Sequence, residues 1–298
     1  MRIELIGVKL PLINPGDDLA EIIIESIESS GEDLLDNDIL VITEKVVAKA
    51  LGRIVDLDEV RPSKRAIKIA SRVREDPRFV ELVLRESDDI LAVVPVKELV
   101  ERGIVDLYSL SRSGESLKLL DDYPFLFIVE REGMLWSDSG IDSSNAPPGK
   151  FLLPLEDHDE AAKQLCFRIR ELTGRRVAVV ICDTEFFLGG SLDFARGSYG
   201  IDPVDRGFGS PDLYGKPKYG GVDMIAHELC SASALLFKQS SEGVPVAIVR
   251  GLEWRECECK LREAIPCVGL RRAASLTLRR SVEVLGIMKV IKSLFKLL

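Results

Sequence analysis

The hydrophobic and polar positions of this chain follow two periods, which together predict a mixed α/β protein. Short apolar runs bounded by turn residues predict buried strands, at residues 38–43, 90–96, 124–131, 176–183 and 244–251. Apolar residues at helical spacing between these runs predict helices, at residues 17–30, 61–75, 156–174 and 222–238. The sequence shows no short internal repeat, so we expect an α/β or α+β fold.

Two segments depart from this pattern. Residues 184–221 contain nine glycines and three prolines among aromatic and acidic residues. A glycine-rich stretch of that length inside a folded domain is usually functional or disordered, and we predict a substrate-facing loop region. The C-terminal stretch 285–298 places Lys289, Lys292 and Lys296 on one helical face. We expect a helix that packs on the body or on a partner subunit, with a membrane-surface helix as the alternative.

Composition narrows the class of protein. The 298 residues are 46% hydrophobic and 30% charged, with a net charge of −9, which argues against nucleic acid as the main partner. The sequence shows no secretory signal and no run long enough to span a bilayer. We therefore expect a cytoplasmic protein whose six cysteines are reduced and whose partners do not include a membrane. Glutamine occurs only at Gln164 and Gln239 while Glu, Lys and Arg abound, a pattern that resembles proteins from hot environments and favours an archaeal-like source.

Two oxygen-rich stretches are candidates for a metal site. The apolar run at 176–182 delivers Asp183 and Thr184 at its carboxyl end, where open α/β sheets usually bind ligands. Hard oxygen ligands of this kind suit Mg²⁺ or Mn²⁺. Residues 135–149, with sequence LWSDSGIDSSNAPPG, form either a solvated loop or a rigid loop for a metal ion or a phosphate. The residues alone leave both interpretations open.

Lys45 and Lys49 follow the strand at 38–43 and face one direction, as a phosphate clamp requires. A solvated helix face explains the same spacing. The segment GSPDLYGKP at 209–217 does not match a phosphate-binding loop, since Pro217 stands where Ser or Thr is needed. Cys257, Cys259 and Cys267 lack both zinc-site spacing and a fourth ligand, so their role stays open.

Taken in order, the motifs of residues 5–252 resemble the coenzyme F420-0:γ-glutamyl ligase family. The resemblance rests on seven stretches: GVKLPLINPGDDLAEII, DILVITEKVVAKALGR, PSKRA with EDPRFVELVLRES, SGIDSSN, ICDT, AHELCSASALL and EGVPVAIVRG. It implies a ligase-like domain at 1–255 followed by a helical extension at 256–298. It also implies the fold of that family, assembled as an intertwined homodimer.

The resemblance implies a GTP-dependent enzyme that joins L-glutamate to a carboxylate acceptor, coenzyme F420-0 or a related compound. GTP would phosphorylate the acceptor, and the acyl phosphate would then react with the amine of glutamate. The implied ions are Mg²⁺ or Mn²⁺, with K⁺ as a further candidate. A nucleotide-binding paralogue without catalysis and a metal-dependent phosphohydrolase are the alternatives.

Carried over by position, the resemblance assigns two sets of site residues. The metal ligands fall on Asp142, Asp183 and Thr184. The GTP site falls on Leu10, Pro11, Leu12, Ile13, Glu44, Lys45, Lys49, Asn145, Gln239 and Glu242. No catalytic residue is assigned.

Three departures from the family pattern affect these expectations. Asp138 stands where the family has Asn, and His227 stands where it has Asp. After Asp183 and Thr184 the family carries a stretch like Phe-Gly-Arg-Pro-Trp-Arg, whereas this chain reads EFFLGGSLDFARG. The two expected arginines are replaced by Glu185 and apolar residues, which leaves the identity of the acceptor open.

Overall fold

Strands that are apolar on both faces form the centre of the molecule. The computed structural model describes residues 2–111, 118–187, 190–238, 241–264 and 270–297. The chain forms two compact units, residues 1–264 and 265–298. The described strands all belong to the first unit and are β1 (Glu4–Val8), β2 (Ile39–Thr43), β3 (Ile54–Asp56), β4 (Asp89–Val94), β5 (Leu126–Arg131), β6 (Met134–Ser137), β7 (Lys150–Leu152), β8 (Ala178–Phe187), β9 (Gly190–Tyr199) and β10 (Val246–Arg250).

The helices begin at capping residues that the sequence supplies. Asp18, Ser63, Asp76 and Asp157 each accept a hydrogen bond from a backbone N–H of the first turn. The first unit contains α1 (Leu19–Ser29), α2 (Glu44–Ala50), α3 (Lys64–Val73), α4 (Pro77–Arg85), α5 (Val96–Glu101), α6 (Leu119–Asp122), α7 (His158–Thr173), α8 (Ile225–Phe237) and α9 (Leu261–Ala264). The second unit contains α10 (Leu270–Leu285) and α11 (Ile287–Leu297). None of the helices in the described residues combines the length and the apolar character needed to cross a bilayer.

The central sheet has the strand order β1-β10-β2-β8-β9, in which only the pair β2 and β8 is parallel. Successive side chains of a strand point to opposite faces. Leu40 and Ile181 therefore enter a core with α1 and α7, while Val41 and Val180 enter a core with α8. Because both faces are covered, these strands read as continuous apolar runs.

A second group of elements packs around Phe127 and Trp136, which are 0% and 1% exposed. The antiparallel sheet β4-β5-β6 and the helices α3 and α4 enclose this third core. The short antiparallel pair β3 and β7 connects α2 with the elements of this third core. The third core thus supports the loop that follows β6.

The structure confirms the predicted strands and helices. Their observed ends lie within three residues of the predicted ones, except that β8 continues four residues beyond residue 183. The loop predicted for residues 184–221 is wrong over its first part, because residues 184–187 and 190–199 extend β8 and form β9. The two strands pair antiparallel, with Asp183 opposite Phe194. The alternation of polar and apolar residues in SLDFARGSY favours a strand over a loop, despite the glycines. The irregular segment is limited to residues 200–224.

The expectation that all cysteines are reduced is also wrong. Cys182 on β8 and Cys230 on α8 form a disulfide, as do Cys257 and Cys259. Cys166 is a buried free thiol, and Cys267 lies outside the described residues. The Cα atoms of Cys182 and Cys230 lie 5.7 Å apart, a separation that a disulfide bond can bridge. The predicted boundary between residues 255 and 256 stays a prediction.

Gly197 is the position at which β9 packs directly on the N-terminus of α7. A Cβ atom at this residue would overlap the carbonyl group of His158 and lie 2.7 Å from the backbone nitrogen of Asp159. We expect Gly197→Ala to lower the free energy of unfolding by about 1–3 kcal/mol, because backbone atoms must move to admit the methyl group. Thermal unfolding followed by circular dichroism measures this loss.

The matched control is Gly207→Ala, where a Cβ atom meets only side-chain oxygens of Asp205 and Ser210 at 3.3 Å. Those side chains can rotate, so we expect a change within about 0.5 kcal/mol. Equal effects of the two substitutions would show that the contact between β9 and α7 is not tight.

Candidate active site

A cavity of about 460 Å³ opens at one end of the central sheet. Five segments line it, namely the loop before α1, the start of α2, the loop after β6, the middle of the β8–β9 hairpin, and the turn before β10. The lining residues are Leu10, Pro11, Leu12, Ile13, Thr43, Glu44, Lys45, Val46, Lys49, Ser137, Asp138, Gly140, Ile141, Asp142, Ser144, Asn145, Cys182, Asp183, Thr184, Asp193, Phe237, Ser241, Gly243, Val244 and Pro245. Most of the residues assigned by resemblance therefore lie around one cavity.

The parallel pairing of β2 and β8 explains why acidic residues meet here. Thr43 and Cys182 are register partners, so Glu44 and Asp183 are the next residues of two adjacent, parallel segments. Carboxyl ends of parallel strands are where open α/β sheets place their ligands. The sheet thus brings two carboxyl groups to the floor of the cavity.

Glu44 is 4% exposed and held at one of its two carboxylate oxygens. Its Oε1 accepts a hydrogen bond from the backbone N–H of Leu155 and lies 2.7 Å from His158 Nε2. Its Oε2 is buried and has no hydrogen-bond partner among the described residues. Burial acts to raise the pKa of Glu44, but His158 and the Leu155 N–H outweigh it and keep the pKa below its ordinary value. The side chain is therefore an anion with one unsatisfied oxygen.

The pKa of Asp183 is shifted in the opposite direction to that of Glu44. Burial and the neighbouring charge of Glu44 raise the pKa of Asp183 to about 7, although Arg196 opposes the shift. Two carboxylates that share a site disfavour each other's ionisation. A cation placed between them would remove this repulsion.

A layer of charged residues lies behind Asp183. Arg196 and Glu185, 5% and 7% exposed, form an ion pair on the facing strands of the hairpin. Glu185 Oε2 also accepts hydrogen bonds from the backbone N–H and the hydroxyl of Ser137, at 2.8 and 2.5 Å. The Arg196 guanidinium lies 3.5 Å from the ring centroid of Trp136. Glu185, which replaces an expected residue of the family, is thus part of a buried pair.

Thr184 is oriented by a residue that the sequence did not indicate. Its hydroxyl is 2.7 Å from Oδ1 of Asp193, which is 3% exposed on β9. When the hydroxyl donates to this carboxylate, its oxygen lone pairs are left for the cavity. Support of a ligand by a neighbouring carboxylate is typical of metal sites.

Two lysines of α2 also line the cavity. Lys45 Nζ is 2.6 Å from Oδ2 of Asp142 and 2.5 Å from the hydroxyl of Ser144. Lys49 is 9% exposed, and burial followed by the charge of Lys45 lowers its pKa. Lys45 and Lys49 both line the cavity, and we call them the lysine wall; Lys45 is paired with Asp142.

The oxygen-rich loop of residues 137–149 is held in an unusual backbone conformation. Asp138, Ser139 and Asn145 have positive φ angles of 47°, 58° and 55°, and Gly140 has 75°. Such strain in non-glycine residues persists where the surroundings fix the backbone, and it clusters at functional sites. A Cβ atom on Gly140 would lie 2.9 Å from the Trp136 ring, so this position requires glycine. The rigid loop is therefore the better of the two interpretations left open by the sequence.

The apolar part of the cavity lining comes from residues 10–13, near the start of the first unit, and from the turn before β10, near its end. The N–H of Leu10 donates to the carbonyl of Gly243 at 3.1 Å, which joins residues 10–13 to the turn before β10. Leu12 is 85% exposed at the rim. Of the two residues assigned to the nucleotide in this turn, Glu242 does not line the cavity, and Gln239 lies outside the described residues. Ser241 and Gly243 line it instead.

The residues at the floor suit a cation in charge and chemistry. The orphaned Oε2 of Glu44 and the raised pKa of Asp183 both indicate negative charge that the protein does not compensate. Their ligand atoms are not gathered in advance. In the part of the chain that the structure describes, the one group of three metal-binding side chains within 4.8 Å is Asp202, Cys257 and Cys259. Those two cysteines are joined as a disulfide, and Asp202 pairs with Arg206 and Arg255.

Comparison with known proteins gives a consistent result. The model of the F420-0:gamma-glutamyl ligase family matches residues 7–251. A coenzyme F420:L-glutamate ligase of Methanothermobacter thermautotrophicus is 36% identical over 257 residues, which are 85% of this chain and 91% of that protein. The enzymes of the same name from Archaeoglobus fulgidus and Methanopyrus kandleri are 37% and 36% identical over 255 residues, with 85% of this chain covered and 89% and 88% of theirs.

Asp138 generates a prediction about pH. Burial, with a smaller contribution from Glu75, raises the pKa of Asp138 to about 7 from an ordinary value of 3.8. The folded state therefore holds this proton more tightly than the unfolded state, so the free energy of unfolding falls as pH rises from about 4 through about 7. We expect Asp138→Asn to remove this loss. At pH 8 the free energy of unfolding of the variant should exceed that of the native protein by roughly 2–4 kcal/mol.

Chemical denaturation at pH 4, 6 and 8 measures the difference between the two proteins. The amide oxygen of Asn can still accept the hydrogen bond that Asp138 Oδ1 takes from the Phe127 N–H at 2.8 Å. Asp33→Asn, an exposed substitution of the same kind, serves as control. A difference between Asp138→Asn and the native protein that stays constant across this range would contradict the raised pKa.

Proposed function

The chain belongs to the F420-0:gamma-glutamyl ligase family of enzymes, and on that premise we propose that it joins L-glutamate by an amide bond to a carboxylate acceptor. We propose coenzyme F420-0 or a related compound as the acceptor and GTP as the phosphoryl donor. The proposal rests on one observation: a single cavity is lined by Lys45 and Lys49 and by the buried carboxyl groups of Glu44 and Asp183, with one oxygen of Glu44 lacking a hydrogen-bond partner among the described residues. Phosphoryl transfer to a carboxylate needs both kinds of charge.

The lysine wall would hold the phosphates of the nucleotide. Lys49 is nearly buried, so a phosphate that reaches it replaces little water and gains a strong ion pair. Lys45 would exchange its contact with Asp142 for a phosphate oxygen. Asn145, which also lines the cavity, adds an amide beside the same wall. Leu10 to Ile13, with Phe237 and Val244, would cover the base and the sugar from water.

Mg²⁺ or Mn²⁺, when bound, would neutralise phosphate charge and align the reacting groups. The residues that would hold it are Asp142, Asp183 and Thr184, with the free oxygen of Glu44 as a further ligand. When Lys45 turns to the nucleotide, Asp142 becomes available to the same ion. His158 keeps the other oxygen of Glu44 in place, and Asp193 orients Thr184.

The proposed reaction has two balanced steps. An oxygen of the acceptor carboxylate attacks the γ-phosphorus of GTP, and the bond to the β-phosphate oxygen breaks to release GDP. The amine of glutamate then attacks the acyl carbon, the bond to the phosphate oxygen breaks, and the amide forms with loss of phosphate and a proton. Exclusion of water by the cavity wall protects the acyl phosphate between the steps.

The sequence after Thr184 bears on the acceptor. The hairpin that replaces the expected arginine-rich stretch carries the buried Glu185–Arg196 pair, so its one buried guanidinium is already neutralised. An acceptor that depends on two free arginines for its phosphate or carboxylate groups would bind weakly here. We therefore keep a compound related to coenzyme F420-0 as an equal candidate.

The test is phosphate release from GTP with Mn²⁺, measured with and without L-glutamate and coenzyme F420-0. We expect release only when both co-substrates are present, because the acyl phosphate forms on the acceptor and is discharged by glutamate. Release without either compound would favour a metal-dependent phosphohydrolase. Bound GTP without release for any carboxylate acceptor would favour a silent nucleotide-binding paralogue.

Asp183→Asn provides the control for the site. We expect it to weaken Mn²⁺-dependent GTP binding on the order of 100-fold, since a charged ligand is lost. The metal-free protein should melt at a higher temperature at pH 8, because the substitution removes a buried carboxylate whose pKa is about 7. Asp33→Asn, an exposed substitution of the same kind, should change neither property. Unchanged GTP binding by Asp183→Asn would contradict the metal assignment.

A further inference from the structure

The C-terminal unit is an addition to the family domain. The family match ends at residue 251, whereas residues 265–298 form a compact unit of their own with the helices α10 and α11. The cavity described above is lined by residues 10–245 only. The unit thus requires an explanation separate from the ligase chemistry.

The charge of this unit is opposite to that of the whole chain. Residues 265–298 contain seven basic residues and one acidic residue, a net charge of +6, while the chain as a whole carries −9. Four arginines lie on α10, and Lys289, Lys292 and Lys296 lie on α11. Glu283, the one acidic residue, is already paired with Arg279 and Arg280. The unit therefore fits a partner that is negatively charged over an extended surface.

The α11 helix separates its charge from its apolar residues. The three lysines recur at spacings of three and four residues, which places them on one helical face. Ile287 and Ile291, also four residues apart, follow the other side and are 59% and 38% exposed. At the end of α10, Val284 and Leu285 are 79% and 57% exposed. A cationic face beside an exposed apolar face is typical of helices that lie in a membrane interface.

The length of the helix determines how it could bind a bilayer. α11 has 11 residues, which gives about 16 Å at 1.5 Å per residue. The hydrocarbon core is about 30 Å thick, so the helix can lie on a bilayer but cannot span it.

We propose that the C-terminal unit docks the enzyme on an anionic lipid surface. α11 lies parallel to the surface, with its isoleucines at the boundary of the acyl chains and its lysines among the lipid phosphates. A lipid surface covers the apolar side chains and leaves the lysines hydrated and paired with anions. The net charge of +6 over residues 265–298 favours such an anionic surface over an uncharged protein groove. This proposal revises the expectation from sequence that a membrane is not a partner.

The test is sedimentation of the full chain with vesicles of phosphatidylcholine alone or with added phosphatidylglycerol. We expect binding to the anionic vesicles, weakened as salt shortens the range of the attraction. Replacing Lys289, Lys292 and Lys296 by Gln should lower binding on the order of 100-fold. Ile287→Ser with Ile291→Ser should also lower it, because apolar insertion contributes beside the charge.

The matched control removes the same charge elsewhere. Lys64, Lys68 and Lys216 are exposed on the first unit, and their replacement by Gln should leave vesicle binding unchanged. Failure of the native chain to bind anionic vesicles would overturn the proposal. So would equal losses in the two triple variants. A third outcome would assign the unit to contacts with a second copy of the chain. In that case the native chain would not bind vesicles but would self-associate in ultracentrifugation, and the triple variant at Lys289, Lys292 and Lys296 would not.

Discussion

The structure depends on the burial of carboxyl groups where β2 ends beside Asp183, which lies in the middle of β8. The parallel pairing places Glu44 and Asp183 on adjacent segments, and Arg196 contacts both Glu185 of β8 and Trp136 of the third core. Isolated carboxylates at such depth are costly. The surrounding elements supply partial compensation through His158 from α7 and Arg196 from β9. The positions of α7 and of the hairpin are therefore tied to the same electrostatic requirement.

The negative charge of these carboxyl groups is only partly compensated, and the remainder is available to bind a cation. One oxygen of Glu44 has no partner among the described residues, and the pKa values of Asp183 and Asp138 are raised toward neutrality. A protein that only required stability would carry neutral or apolar residues here. The strained loop of residues 137–145 and the nearly buried Lys49 add to the same cost. A bound cation would neutralise the carboxylates of the cavity, and an anionic nucleotide would neutralise its lysines.

The sequence was informative wherever one physical signal dominated. Buried strands such as β2 read as unbroken apolar runs, and Asp183 and the lysines follow them directly, so their common location could be predicted. His158, Asp193 and Arg196 could not, because their roles arise from contacts between distant segments. The strand residues 184–187 and 190–199 were predicted as a loop because glycine weighs heavily in sequence patterns, whereas Gly197 allows close packing against α7. The disulfide between Cys182 and Cys230 needs the register of β8 against α8, which no spacing in the sequence reveals.

The most direct measurement is mass spectrometry of the acceptor after incubation with GTP, Mn²⁺ and ¹⁵N-labelled L-glutamate. We expect an acceptor that is heavier by one or more glutamyl residues and carries the label in an amide bond. An acceptor of unchanged mass, for coenzyme F420-0 and for related carboxylates, would contradict the assignment of this cavity to glutamate ligation.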